Sequence, residues 1–110
     1  MIKADESALQ QSIHEYLEWE GFIVFTFASP GTHRQLRGSV PDNWPDILAI
    51  RGGEHCYLEC KVPGRKATLK QEALHTRLKD AGCRVAVVHS VEEVQEALRV
   101  AGFELRGELQ

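Results

Sequence analysis

Residues 46–62 constrain the fold more than any other stretch of the chain. Asp46-Ile47-Leu48-Ala49-Ile50 reads as a strand, and Gly52-Gly53 suits a two-residue hairpin turn, whose central positions both need positive φ. The returning segment, Glu54 to Val62, alternates. Cys56, Leu58, Cys60 and Val62 fall on one face and are apolar, whereas Tyr57, Glu59 and Lys61 fall on the other. A slip of one residue would invert both faces, so the pattern sets the register of the hairpin. One face becomes core, and the other presents a carboxylate and an amine. Pro63 and Gly64 end the strand.

The rest of the chain supplies partners for this hairpin. Leu9, Ile13, Tyr16 and Leu17 recur at helical spacing, which predicts a helix from about Asp5 to Glu20 with Gly21 as its stop. Phe22 to Phe27 is a run of strand formers, and Ser29 to Trp44 is a loop by composition. Thr68 caps a second helix, Leu69 to Ala81, which Gly82 ends. Arg84 to His89 reads as a strand. Ser90-Val91-Glu92-Glu93 reads as a capping box that opens a last helix to about Ala101. The expected fold is therefore α/β, a mixed central sheet of about four strands flanked by helices, in the order α-β-β-β-α-β-α. At 110 residues, the chain is expected to form a single domain, 1–110. Trp19, Phe22, Phe25 and Phe27 are read as core. His14, His33, His55, His75 and His89 show no ligand spacing and are read as structural or solvated, with His33 the one placed to reach a phosphate from the long loop.

Charge is unevenly placed. The net charge is −3, yet residues 31–70 hold seven basic groups against four acidic ones. A local basic patch can hold a phosphate backbone even on an acidic protein. The three cysteines, Cys56, Cys60 and Cys83, have no metal-like spacing and read as small buried apolar groups in a reducing compartment. No apolar run approaches the roughly 20 residues that span a membrane, and no signal segment follows Met1. A cytosolic protein is expected.

The hairpin's polar face suggests chemistry. Asp46 begins the strand that pairs with the one carrying Glu59, so a tight hairpin brings two carboxylates together. They repel unless a cation joins them. An all-oxygen donor set with room for water and phosphate suits Mg²⁺ or Mn²⁺ rather than zinc, and the Cys60 carbonyl could add a further oxygen. Lys61 beside such an ion can position and help deprotonate a water, and stabilise charge on an attacked phosphate. Phosphodiester hydrolysis is the reaction this trio suits best. Pro41-Asp42 offers a second Pro-Asp, but apolar residues follow Asp46 directly, as a strand requires.

Pro45-Asp46, then Glu59-Cys60-Lys61 after a hairpin, in this order of elements, resembles the PD-(D/E)xK nuclease superfamily. Within it the chain is similar to the VRR-NUC domain, the virus-type replication-repair nuclease, from Glu6 to about Leu98. The likeness also carries Glu6 in the first helix, the stretch from Lys61 to Arg65, and Gln71 in the second helix. One departure is Trp44, where the family tends to have glycine before Pro-Asp. The resemblance implies a restriction-endonuclease-like core and a divalent-metal endonuclease acting on DNA. Asp46 and Glu59 would be ligands, Glu6 an acidic partner acting through water, and Gln71 a group near the reacting phosphate. Glu6 lies three residues before Leu9, on the helix face expected to be buried; otherwise it is a first-turn acid favoured by the helix dipole. Gln71 can equally close a capping box with Thr68. Arg34, Arg37, Arg65, Lys66 and Lys70 would hold DNA phosphates without reading bases. Stand-alone members of the family resemble homodimers that cut branched DNA, including four-way (Holliday) junctions. Flap or non-specific cleavage of DNA or RNA, or a catalytically silent nucleic-acid-binding module of the same fold, are the alternatives.

Overall fold

In a computed structural model of the protein, which describes residues 2–27 and 41–106, the elements follow the expected order. They are α1 (Ile2–Trp19), β1 (Ile23–Thr26), β2 (Ile47–Arg51), β3 (Glu54–Cys60), α2 (Leu69–Asp80), β4 (Val85–Val88) and α3 (Val91–Val100). The strands form one mixed sheet in the order β1-β2-β3-β4. β1 pairs with β2 and β2 with β3 antiparallel, and β4 runs parallel to β3, with α2 as the crossover that a parallel pair needs. Gly52 (φ 63) and Gly53 (φ 81) turn the β2–β3 hairpin in the left-handed conformation that glycine adopts without steric cost.

The sheet has one fully covered face. Ile47, Ala49, Cys56, Leu58, Cys60 and Val88 pack there against Ile13 and Leu17 of α1 and Val94 and Leu98 of α3. Each fully buried leucine or isoleucine contributes about 1.5–3 kcal/mol relative to exposure. On the other face, Leu74 and Leu78 of α2 pack on Val85, with Trp44, Tyr57 and Cys83 around them. α2 thus lies over the β3–β4 half of the sheet, and no helix among the described residues covers the same face of the β1–β2 half.

That asymmetry corrects part of the aromatic reading. Phe22 is core, but Trp19 is 55% exposed and Phe25 49% exposed. β1 is an edge strand, and no helix among the described residues covers its outer face. Trp44 is also explained: it meets Phe27 and Tyr57 edge to face, closing the cluster under α2 where a glycine would leave a gap.

The expected box at the start of α3 forms only in part. Ser90 Oγ accepts from the Glu93 N–H at 3.1 Å, but the Glu93 carboxylate turns to the backbone N–H and ring Nδ1 of His89, both at 2.9 Å. His89 offers it two donors where Ser90 would offer one. Cys56 and Cys60 are buried and Cys83 is half-buried, all with free thiols. Burial pushes the Cys56 thiol up to about 11, which suits an inert, apolar role. No helix among the described residues is long and apolar enough to cross a membrane.

Candidate active site

Asp46 stands one step beyond the Ile47–Leu58 rung of the hairpin, so it faces Glu59 across the sheet. Directly opposed residues share a face, and both of these are buried, at 6% and 1% exposure. Asp46 Oδ2 accepts the Cys60 N–H at 2.8 Å, which anchors it to β3. The two carboxyls are close enough to shift each other's proton affinity, in opposite senses. Burial, and then the Asp46 charge, push the Glu59 carboxyl up to about 9. Burial raises Asp46 too, while the Cys60 N–H and then Glu59 hold it down. Of the two, Glu59 therefore holds a proton the more tightly.

α2 grips Glu59 from the other side. Thr68 caps the helix, accepting the Gln71 N–H at 3.1 Å and donating its own N–H to Gln71 Oε1 at 2.9 Å. That leaves Gln71 Nε2 to donate to Glu59 Oε2 at 3.3 Å. The capping reading of Gln71 holds, and the other end of the same amide reaches Glu59.

One turn further on, His75 Nε2 lies 3.2 Å from Glu59 Oε1. His75 is 6% exposed, and burial, followed by the Lys79 charge, lowers its pKa. By distance this is an ion pair. By environment both ends are pushed toward neutrality, so a neutral hydrogen bond describes it better. Reading the histidines for ligand spacing missed this residue. The available signal was its place four residues after Gln71, on the face of α2 that also carries Leu74 and Leu78.

Lys61 follows β3, its N–H bonded to the Val88 carbonyl at 3.0 Å. Its charge favours ionisation of both carboxyls, and the charge of Glu6 opposes it. Glu6, Lys61, Val62, Arg65, Lys66 and Thr68 line a cleft of about 250 Å³. A tight turn shapes its rim: Arg65 N–H donates to the Val62 carbonyl at 3.0 Å, and Gly64 takes φ 88. Glu6 is half-exposed at this cleft, where the sequence placed it on a buried face. α1 starts earlier than expected, so Glu6 also falls beyond the first turn. Lys70 is exposed on α2 and does not line the cleft, and Arg34, Arg37 and His33 lie outside the described residues.

The donor chemistry fits a hard divalent cation. Two buried carboxyls face to face repel when ionised, and a cation between them removes that cost. Among the described residues, no three His, Cys, Asp or Glu side chains gather as a cage by themselves. An ion here would have Asp46 and Glu59 as side-chain ligands and would need peptide, water or phosphate oxygens besides, a pattern that suits Mg²⁺ or Mn²⁺.

The sheet, with α2 on one face and α1 and α3 on the other, carries Asp46, Glu59 and Lys61 at one end, the arrangement that the PD-(D/E)xK resemblance implies. Comparison with known proteins agrees. The chain is 36% identical over 85 residues to the protein named "Putative nuclease p44" of Acyrthosiphon pisum secondary endosymbiont phage 1, covering 74% of this chain and 83% of that one. A solved VRR_NUC domain superposes with a TM-score of 0.69 at 24% identity, covering 90% of this chain and 98% of the other. A solved VRR_NUC domain protein gives a TM-score of 0.62 at 18% identity, over 87% and 86% of the two chains. No family model matches the chain. The chain belongs to the nuclease family of that phage protein and has the fold of the VRR_NUC domain.

Proposed function

We propose that the protein is a Mg²⁺- or Mn²⁺-dependent endonuclease that hydrolyses DNA phosphodiester bonds. One observation carries the reading: Asp46 and Glu59 are buried face to face, with Lys61 two residues beyond Glu59 at the adjoining cleft. Two buried carboxyls in contact destabilise a protein unless they serve a charge. A bound divalent ion supplies Lewis-acid polarisation of the scissile phosphate and a water of lowered pKa.

The chain's own groups do the rest. Asp46, fixed by the Cys60 N–H, and Glu59, fixed by α2, present oxygens from two strands, and the Cys60 carbonyl would add a main-chain oxygen. The Lys61 amine holds the attacking water and offsets charge that builds on the phosphate. Glu6 acts as an outer acid through water. Arg65 and Lys66 hold the DNA backbone at the cleft rim, with Lys70, Arg34 and Arg37 extending that contact.

The preferred substrate is branched DNA, with a four-way junction cut on two strands by a homodimer. One small domain touches few phosphates, whereas a two-fold pair matches the junction's approximate symmetry. The half of the sheet that α2 does not cover supports pairing of copies: Ile23 is 72% exposed and its cross-strand partner Ile50 37%. The test is a panel of end-labelled four-way junction, flap, linear duplex and RNA with Mg²⁺ or Mn²⁺, beside light scattering. Paired nicks on the junction by a dimer support the reading. A monomer that favours linear duplex sinks the junction assignment alone, RNA cleavage without DNA cleavage sinks the DNA assignment, and no cleavage of any substrate leaves a binding module.

A further inference from the structure

Four polar or charged side chains are buried among the described residues: Glu20, Asp46, Glu59 and His75. Glu20 is accounted for by Tyr16, whose hydroxyl donates to it at 2.7 Å, and by the Arg106 N–H at 2.8 Å. Asp46 and Glu59 form the acidic pair. His75 is left without a role. Packing does not require it, because Leu74 and Leu78 already seat α2 on the sheet. Burying an imidazole costs desolvation that only a specific contact offsets.

That contact is with Glu59. Gln71 and His75 are one turn apart on α2 and address the two oxygens of the same carboxylate separately, Nε2 of Gln71 to Oε2 and Nε2 of His75 to Oε1. Each carboxylate oxygen has two acceptor sites, so a donor on one leaves the other free to face an ion. With both oxygens held, the carboxylate plane cannot rotate. With Gln71 alone, whose bond is the longer at 3.3 Å, it can.

We propose that His75 is a positioning residue for Glu59: its Nε2–H fixes the carboxylate in the orientation that binds the divalent ion. The proposal rests on the metal-nuclease reading above. His75 touches neither substrate nor ion. Its imidazole holds one oxygen of the carboxylate while Gln71 holds the other, the arrangement by which outer partners tune metal affinity.

The test is a calorimetric titration of Mn²⁺ into the full-length protein and its His75→Leu, His75→Gln and Glu59→Gln forms, beside thermal unfolding without metal. Leucine keeps the apolar packing and removes the donor, whereas the glutamine amide can place an N–H where Nε2 stands. His75→Leu is expected to lose Mn²⁺ affinity by roughly 10–100-fold. His75→Gln is expected to stay within a few-fold of wild type, and both should unfold as wild type does. Equal Mn²⁺ affinity for wild type and His75→Leu overturns the positioning role while leaving the nuclease reading intact. A glutamine form as weak as the leucine form also overturns it, and points to the imidazole as a ligand itself. If wild type and Glu59→Gln both fail to bind Mn²⁺, the metal-site reading falls and this inference with it.

Discussion

Gln71 and Glu59 are joined by an amide that is already in use: its Oε1 caps α2 through the Thr68 N–H, and its Nε2 reaches Glu59 Oε2. A glutamate at this position would keep the acceptor and lose the donor. Gln71→Glu is therefore expected to retain the helix start and to cleave DNA at least about tenfold more slowly, since a third carboxylate then faces the acidic pair. Gln71→Ala loses both ends and should also lose stability, on the order of 1 kcal/mol for the lost bond to the Thr68 N–H. Melting curves and single-turnover cleavage rates separate the two effects. A Gln71→Glu protein that cuts at the wild-type rate would show that the bond to Glu59 is idle.

Asp46→Asn and Glu59→Gln are each expected to abolish cleavage and to leave the fold and most DNA binding intact. Either change removes one of two buried acids, so the metal-free protein should be no less stable at about pH 8 than wild type. Asp42 is exposed, away from the pair, and Asp42→Asn should be silent. Near wild-type cleavage by either of the first two mutants contradicts the ligand assignment, and a dead Asp42 mutant would relocate the site.

The raised pKa of Glu59 makes a pH prediction whose sign is fixed. Glu59 titrates near 9 in the folded protein and near the ordinary glutamate value of 4.5 when unfolded, so between these values the folded state holds the extra proton. Stability of the metal-free protein should then fall as pH rises, most cleanly from about pH 7 to 9. His75, whose pKa is lowered, contributes with the opposite sign and only at lower pH. His89, whose pKa the Glu93 hydrogen bond raises, adds loss of stability in the same direction as Glu59, so a control is needed. Melting in EDTA across this range should show a shallower slope for Glu59→Gln, and added Mn²⁺ should flatten the wild-type slope. Parallel slopes for the two proteins would contradict a buried proton on Glu59.

Lys61 adjoins the pair without bracing it. Lys61→Ala should keep Mn²⁺ affinity within a few-fold and lose cleavage by about 10²–10⁴, the usual worth of a positioned proton-transfer group. Calorimetry and cleavage read the two separately. Loss of Mn²⁺ binding along with activity would show that the amine supports the ion instead.

The hairpin is legible in the sequence because its alternation is strict. Cys56, Leu58 and Cys60 can only face the core, and that forces Glu59 to the other side, opposite Asp46. The burial of Glu59 is not legible. Nothing in its own strand says that α2 closes over it, and that depends on a parallel crossover placing Gln71 and His75 above the sheet. The exposure of Phe25 is hidden for a similar reason, since hydrophobicity shows that a strand wants cover and not whether a helix arrives to provide it. Glu93 obeys a local capping rule only in part because His89, outside the rule's window, offers better donors.

Arg65 and Lys66 sit just beyond the Gly64 turn at the rim of the cleft, where a phosphate backbone passing Lys61 would meet them. On the proposed reading they would meet charge and not base edges, and would set affinity and not sequence preference. Reversing both, Arg65→Glu with Lys66→Glu, should weaken binding to junction and linear duplex by similar factors. It should also lower the slope of log affinity against log salt by about one for each phosphate that is no longer neutralised. The cleavage rate of bound substrate should change much less, because the acidic pair and Lys61 are untouched. Fluorescence anisotropy over a salt series, beside single-turnover cleavage at saturating protein, measures both. A variant that loses junction binding while keeping duplex binding would mean that these two residues read branch geometry, and the cleft rim would then define the substrate's shape.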